Sequence, residues 1–299
     1  MDRIAPPARV AFIGMGVMGA AMAANIAKAG FALTVSSRTR DKAAALEAAG
    51  AAWAATPAEA ARGAACVALC VPDTPDVEAV LFGPGGIAEG AAPGTVVIDF
   101  STIAAAATAD FAKRLAAKGV ALLDSPVSGG PQGAIDGVLT CMVGGDAAAF
   151  AAVEAVFAAV GKTVRHLGPA GAGQVCKAGN QLIITATMQA VFEALVMGKK
   201  AGLDPAAMRE ALLGGSAKSF VLENHAKRWL DGKTAPGFRA ELMRKDMRLA
   251  IGAARDHGMH APVTAAAAQM MEALCNSGRG GLDVAALGLL VAELSGAAE

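Results

Sequence analysis

The chain has 299 residues, room for two ordinary domains each with its own core, and its charges cancel, 26 Lys plus Arg against 26 Asp plus Glu. Hydrophobic residues make up 55%, much of it alanine, and charged residues only 17%, which excludes a disordered chain. With no block of like charge, neither nucleic acid nor an anionic membrane is expected as a partner.

The N-terminus imitates a secretory signal, with Arg3, an apolar stretch and then "AMAA". That stretch holds three regularly placed glycines, however, and cleavage there would destroy the motif they form. The five cysteines (66, 70, 141, 176, 275) form no CxxC pair and are odd in number. Buried reduced thiols in the cytoplasm are therefore expected, with no metal cluster.

"ARVAFIG" reads as a short buried strand, "AAMAANIAKAG" as a helix closed by Gly30, and "FALTVSS" as a second strand. Apolar runs bounded by turn residues follow at "ACVALCV", "GTVVIDF", "GVALLDS" and "LTCMVGG", with Ala-rich helical segments between most of them. This alternation implies a Rossmann-like, doubly wound α/β fold with a mostly parallel sheet. After Gly168 the β-branched runs stop, and the remainder reads as helices broken at "GLDP", "GGSAKS" and "APGF". The expected division is a dinucleotide-binding domain over 1–167 and an all-helical domain over 168–299. No run reaches the roughly 18 to 20 uninterrupted apolar residues of a spanning helix. The longest, 178–192, is broken by Asn180, Gln181, Thr185, Thr187 and Gln189.

Gly14, Met15, Gly16, Val17, Met18 and Gly19 form "GMGVMG", a G-x-G-x-x-G pattern that follows a strand, opens a helix and leads to a second strand within about thirty residues. In that context Gly14 allows a tight turn, Gly16 lets backbone approach a pyrophosphate, and Gly19 lets helix pack on strand, while N–H groups at the helix start bind the anion. An NAD site carries Asp or Glu at the end of the second strand to read the ribose. Here the turn is "SSRTRDK", with Ser37, Arg38 and Thr39 and no carboxylate before Asp41, which stands where it could cap the next helix. Hydroxyls and a guanidinium suit a 2′-phosphate, so NADP is expected, with NAD possible.

Downstream, "LLDSPVSGGPQGAIDG" leaves a strand for a loop in which Ser128, Gly129 and Gly130 can offer a hydroxyl and backbone N–H groups to a carboxylate. In "GAGQVCKAGNQ", Lys177 is the only Lys or Arg between Arg165 and Lys199. Lys177, Asn180 and Gln181 stand at i, i+3 and i+4, on one helical face expected to look into a cleft between the domains. Desolvation in such a cleft lowers the pKa of an ammonium, fitting it to exchange a proton with a substrate oxygen.

Taken together these stretches resemble the β-hydroxyacid dehydrogenase family, nearly end to end. The resemblance lies in "FIGMGVMG", "VPDTPDVEAVLFG", "DFST", "DSPVSGGPQGAIDGVLTCMVGG", "GAGQVCKAGNQ" and "PGFRAELMRKDM", in that order. It implies an NAD(P)-dependent oxidoreductase of small carboxylate substrates, with Lys177 catalytic, Asn180 orienting the substrate, and Ser128, Gly129 and Gly130 holding its carboxylate. Val71, Pro72 and Thr102 would line the nicotinamide side, with Phe238 and Lys245 closing over the cofactor. Within the family, "PDTPDVEAVLFG" and "PGFR" with the later "KD" look most like tartronate semialdehyde (2-hydroxy-3-oxopropionate) reductases. The "SSRT" turn looks closer to NADPH-dependent glyoxylate and succinic semialdehyde reductases, and 3-hydroxyisobutyrate dehydrogenases are also similar. A homodimer or homotetramer is implied, formed through the apolar helical half.

Other chemistries fit less well. The chain contains no tyrosine, which excludes a Tyr-x-x-x-Lys pair, and no Cys/His cluster suits a catalytic zinc. "HGMH" (residues 257–260) reads as a surface turn. 6-Phosphogluconate dehydrogenases share the early motifs but resemble a much longer chain, and imine reductases usually lack the lysine. A non-catalytic NADP-binding sensor could keep the glycine loop, but it would have no use for Lys177, Asn180 and the Ser128 loop together.

Overall fold

The computed structural model describes residues 1–297 and divides the chain into two compact units, Met1–Lys177 and Ala178–Glu299. The first unit is built on β1 (Arg9–Ile13), β2 (Ala32–Ser36), β3 (Ala52–Trp53), β4 (Cys66–Leu69), β5 (Val96–Asp99), β6 (Ala121–Asp124), β7 (Val127–Ser128), β8 (Leu139–Gly144) and β9 (Gly161–Gly168). They form one sheet in the order β3-β2-β1-β4-β5-β6-β8-β7, with β9 paired to β8. Strands β1 to β6 pair in parallel, β8 runs antiparallel to β6 and β7, and β9 runs parallel to β8.

Every residue of β4 and β5 is buried, as expected of central parallel strands covered by helices on both faces. The alternation along β1 divides the core. Val10 and Phe12 enter one cluster with Met22, Ile26, Phe100 and Phe157, while Ala11 and Ile13 enter another with Val67, Leu69, Leu81 and Phe111. Chain order reverses between β1 and β4, the switch point at which loops leaving the carboxyl ends of neighbouring strands turn to opposite faces of the sheet.

All of the apolar runs read as strands are strands. The sheet also contains β3, β7 and β9, which carry no apolar alternation: β3 and β7 have two residues each, and most of β9 is exposed. The thiols differ in part from expectation. Burial holds Cys66 and Cys141 neutral, pushing each up to about 12, but Cys176 is exposed.

The helix Ala172–Lys200, hereafter the long helix, belongs to the first unit through Lys177 and to the second from Ala178. It is long and apolar enough to cross a membrane. Its Met188, Phe192, Leu195 and Val196 instead form the core of the second unit with Leu222, Met243, Met271, Leu287 and Val291, from Val221–His225, Ala240–Asp256, Pro262–Leu274 and Leu287–Leu294. The "GLDP" break is a helix start. Asp204 accepts from the N–H groups of Ala206 and Ala207, and Pro205 takes the first helical position, where no donor is lost. His257 and His260 lie exposed between helices.

Close helix packing in the first unit depends on Gly90, where a Cβ would stand 2.0 Å from the carbonyl oxygen of Ala58. Gly90→Ala is expected to cost about 1–3 kcal/mol by overpacking, read as a lower denaturant midpoint with an unchanged slope.

Candidate active site

The loops at the carboxyl ends of β1, β2, β4 and β5 carry most of the site residues expected in the first unit. Gly14 adopts φ +96°, and a Cβ there would lie 2.4 Å from the carbonyl oxygen of Cys70. A Cβ on Gly19 would meet the Gly14 carbonyl at 2.0 Å, whereas one on Gly16 would meet nothing within 4 Å. The first and third glycines thus let chain pass against chain, and the second faces open space. Gly16 also stands at the N-cap of the helix Val17–Lys28, which has no side-chain cap and no acidic residue in its first turn. That is the arrangement an anion requires at a helix start, so the cradle fits the pyrophosphate of a dinucleotide. Met15 is buried beneath it, Met18 is half-buried and Val17 is exposed.

After β2, Ser37 is half-buried, and Arg38 and Thr39 are exposed. The Arg38 side chain is 84% exposed, 3.4 Å from Asp76, a carboxylate of the helix Thr74–Phe82. Arg40 is engaged elsewhere, held by both oxygens of Glu47 and 5.4 Å over the Trp53 ring. Asp41 does not cap the next helix. Thr39 occupies that N-cap position, and Asp41 lies inside the short turn Arg40–Ala43.

The N–H of Val71 donates to Ser101 Oγ at 2.9 Å, tying the loop with Val71 and Pro72 to the loop with Thr102. Ser128 is half-buried, and Gly129 and Gly130, exposed, take φ +136° and +63°. Lys177 is 7% exposed, and its Nζ donates to the carbonyl of Val127 at 2.8 Å, which brings the ammonium beside Ser128.

Two residues missed by motif reading organise this corner. Asp124, at the end of β6, accepts from the N–H groups of Gly171 (2.8 Å) and Gln174 (2.9 Å). Burial pushes its carboxyl above the ordinary carboxylate range, and these backbone donors pull the other way. The side-chain amide of Gln174 bonds both neighbours of Thr102. Both residues were visible only as a polar strand end and a polar helix-start residue.

The remaining expected residues lie in the second unit. Asn180 Nδ2 donates to Gln181 Oε1 at 2.8 Å, and Gln181 Nε2 donates to Asp246 at 2.5 Å. Lys245 Nζ lies 3.1 Å from the same carboxylate. Phe238, half-buried, is held through its N–H by Asp283 at 3.2 Å.

Comparison with known proteins agrees with this architecture. The family model for the NAD binding domain of 6-phosphogluconate dehydrogenase matches residues 9–168. The model for the NAD-binding region of NADP-dependent 3-hydroxyisobutyrate dehydrogenase matches residues 171–290. The chain is 39% identical to 2-hydroxy-3-oxopropionate reductase of Escherichia coli, over 93% of this chain and 95% of that protein. It is 35% identical to 2-(hydroxymethyl)glutarate dehydrogenase of Eubacterium barkeri, over 93% of each. Among solved structures, Mycobacterium tuberculosis 3-hydroxyisobutyrate dehydrogenase with L-serine superposes with a TM-score of 0.89 at 28% identity, covering 95% of this chain and 99% of that one. With the glycine cradle, the strand order and both halves matched, the chain belongs to the 3-hydroxyisobutyrate dehydrogenase-like β-hydroxyacid dehydrogenases, NAD(P)-dependent oxidoreductases that act on the CH–OH group of hydroxy acids.

Proposed function

We propose that this enzyme interconverts a small semialdehyde and its hydroxy acid, of the tartronate semialdehyde and glycerate kind, with Lys177 as the proton donor in reduction. The observation that carries this reading is the buried Lys177 ammonium on the carbonyl of Val127, one residue from Ser128. The identity to Escherichia coli 2-hydroxy-3-oxopropionate reductase supports the substrate class. The likeness to 3-hydroxyisobutyrate dehydrogenase favours a second reading, a branched β-hydroxy acid as substrate, which a screen of semialdehydes and hydroxy acids separates from the first.

The bound nicotinamide supplies the hydride in reduction and accepts it in oxidation. Ser128, with the backbone N–H groups of Gly129 and Gly130, holds the substrate carboxylate. Lys177 gives its proton to the substrate oxygen as the carbonyl carbon is reduced, and takes it back in the reverse direction. Asn180, one turn along the long helix, orients the same oxygen. Residues 1–167 serve as the cofactor domain, with Val71, Pro72 and Thr102 on the nicotinamide side. Residues 168–299 serve substrate binding and assembly, with Phe238 and Lys245 toward the cofactor.

NADP(H) is the preferred cofactor in this proposal. The exposed Arg38 guanidinium, 3.4 Å from the single charge of Asp76, meets in a 2′-phosphate a competitor with more charge and three acceptor oxygens. Oligomerisation is proposed through the second unit, where Ile183, Met197 and Val263 are exposed and Gly179 and Gly252 have open space beside them. The buried thiols of Cys66 and Cys141 are consistent with the cytoplasm.

Lys177→Ala is expected to lower kcat roughly 10²- to 10⁴-fold with cofactor affinity unchanged, and Lys177→Arg should not restore it, because a guanidinium stays protonated. Normal turnover with only a raised KM would make Lys177 a binding group. Arg38→Ala should weaken NADP(H) binding about tenfold, the lower end of the charge-assisted range because the side chain is so exposed, and leave NAD(H) unaffected. Calorimetric titration with both cofactors decides it, and tighter NAD(H) binding by the unmodified enzyme would overturn the preference. Light scattering of a dilute sample should give a dimer or tetramer, and a clean monomer would remove that proposal.

A further inference from the structure

Gln174 is buried, and its side-chain amide is directed at a single loop. Its Oε1 accepts from the N–H of Ile103 at 3.1 Å, and its Nε2 donates to the carbonyl of Ser101 at 2.9 Å. A peptide N–H only donates and a carbonyl only accepts, so the orientation of the amide is fixed by its partners. The two bonds straddle Thr102 and pin the peptide groups on either side of it.

The loop is held from other directions as well. The N–H of Ser101 donates to Asp99 Oδ1 at 2.8 Å, Ser101 Oγ accepts from Val71 N–H at 2.9 Å, and the N–H of Ala104 donates to Thr74 Oγ1 at 3.1 Å. These contacts fasten the loop to β5, to the loop after β4 and to the start of the helix Thr74–Phe82. Gln174 alone among these partners lies on the long helix, three residues before Lys177 and so nearly one turn from it. Its own N–H is held by Asp124 at 2.9 Å, which seats the residue before its amide reaches out.

We propose that Gln174 is a positioning residue for hydride transfer, tying the loop that bears Thr102 to the helix that bears Lys177. The proposal rests on the roles given above to Thr102 and Lys177. The amide acts through distance. If the nicotinamide-side loop and the proton donor move independently, hydride and proton no longer arrive at one carbonyl in register. A misplacement of about 1 Å remote from the reacting atoms costs on the order of a hundredfold in rate. The length of the side chain matters as much as its polarity, because asparagine is one methylene too short to span both partners. Methionine fills a similar space without either bond.

The test compares Gln174→Met and Gln174→Asn with the unmodified enzyme. Four quantities are measured: kcat, substrate KM, cofactor affinity by calorimetric titration, and amide hydrogen exchange at Thr102 and Ile103 in the cofactor-free protein. Both variants should lose roughly ten- to a hundredfold in kcat while cofactor affinity and KM hold. Exchange at Ile103 should accelerate with the β1 and β4 amides unchanged. Near-normal kcat in either variant would overturn the proposal, even with faster exchange at Ile103. Loss of protection across the β-strands would overturn it too, making Gln174 a general stability residue. A failure of the underlying reading appears separately, as normal turnover in Lys177→Ala.

Discussion

The carboxylate of Asp124, buried at the end of β6, is the contact on which the geometry of the site depends. Taking a carboxylate out of water is costly, and here burial outweighs the stabilising hydrogen bonds enough to raise its pKa. What makes it tolerable is the start of the long helix: the N–H of Gly171, just before it, and that of Gln174, in its first turn, point one at each oxygen, and the helix dipole favours a negative charge there. Two glycines make room for it. A Cβ on Gly144 would stand 2.6 Å from one carboxylate oxygen, and a Cβ on Gly173 would stand 2.8 Å from the other. Strand, neighbouring strand and helix therefore meet around a single side chain.

The corner that results is anchored twice by the same two segments. Asp124 ends β6 and Val127 opens β7 three residues later, and Gln174 and Lys177 lie on the opening turns of the long helix. Asp124 holds the N–H of Gln174, and the carbonyl of Val127 holds the ammonium of Lys177. Because both bonds join the same pair of segments, the lysine cannot shift along its helix without straining the cap. The proton transfer proposed for Lys177 needs that rigidity more than it needs an extra ion pair. Ser128 follows Val127 directly, so the proposed carboxylate anchor inherits the same fixation.

Much of this was legible in the chain, and the limits have physical causes. Strands β1, β2, β4, β5, β6 and β8 announce themselves because burial on both faces demands continuous apolar runs such as "CVAL" and "VVID". Strand β9, "GKTVRHLG", is largely exposed and so has no such signature. Its pairing with β8 follows from chain connectivity that no local pattern encodes. The glycine cradle is legible because its close approaches admit few residue types, and Lys177 because it is the only Lys or Arg between Arg165 and Lys199. Asp124, Gln174 and Asp76 are ordinary polar residues in sequence. Their meaning comes from partners tens of residues away: Gly171 for Asp124, Ser101 and Ile103 for Gln174, and Arg38 for Asp76.

In the second unit, hydrogen-bond polarity reaches Asn180 from a charge two side chains away. The carboxylate of Asp246, ion-paired with Lys245, can only accept, so Gln181 must present its Nε2 to it. That leaves Gln181 Oε1 to face Asn180, which must then donate through Nδ2. The chain of amides thus has one direction, set at its charged end. Asn180 consequently meets its surroundings with its carbonyl oxygen and one remaining N–H. In the proposed reaction the one proton of the alcohol faces Lys177, so the substrate oxygen accepts from Asn180 whether it is a carbonyl or an alcohol. The direction imposed by Asp246 leaves one N–H of Asn180 for that oxygen, the donor that the proposed orienting role needs in both directions of the reaction.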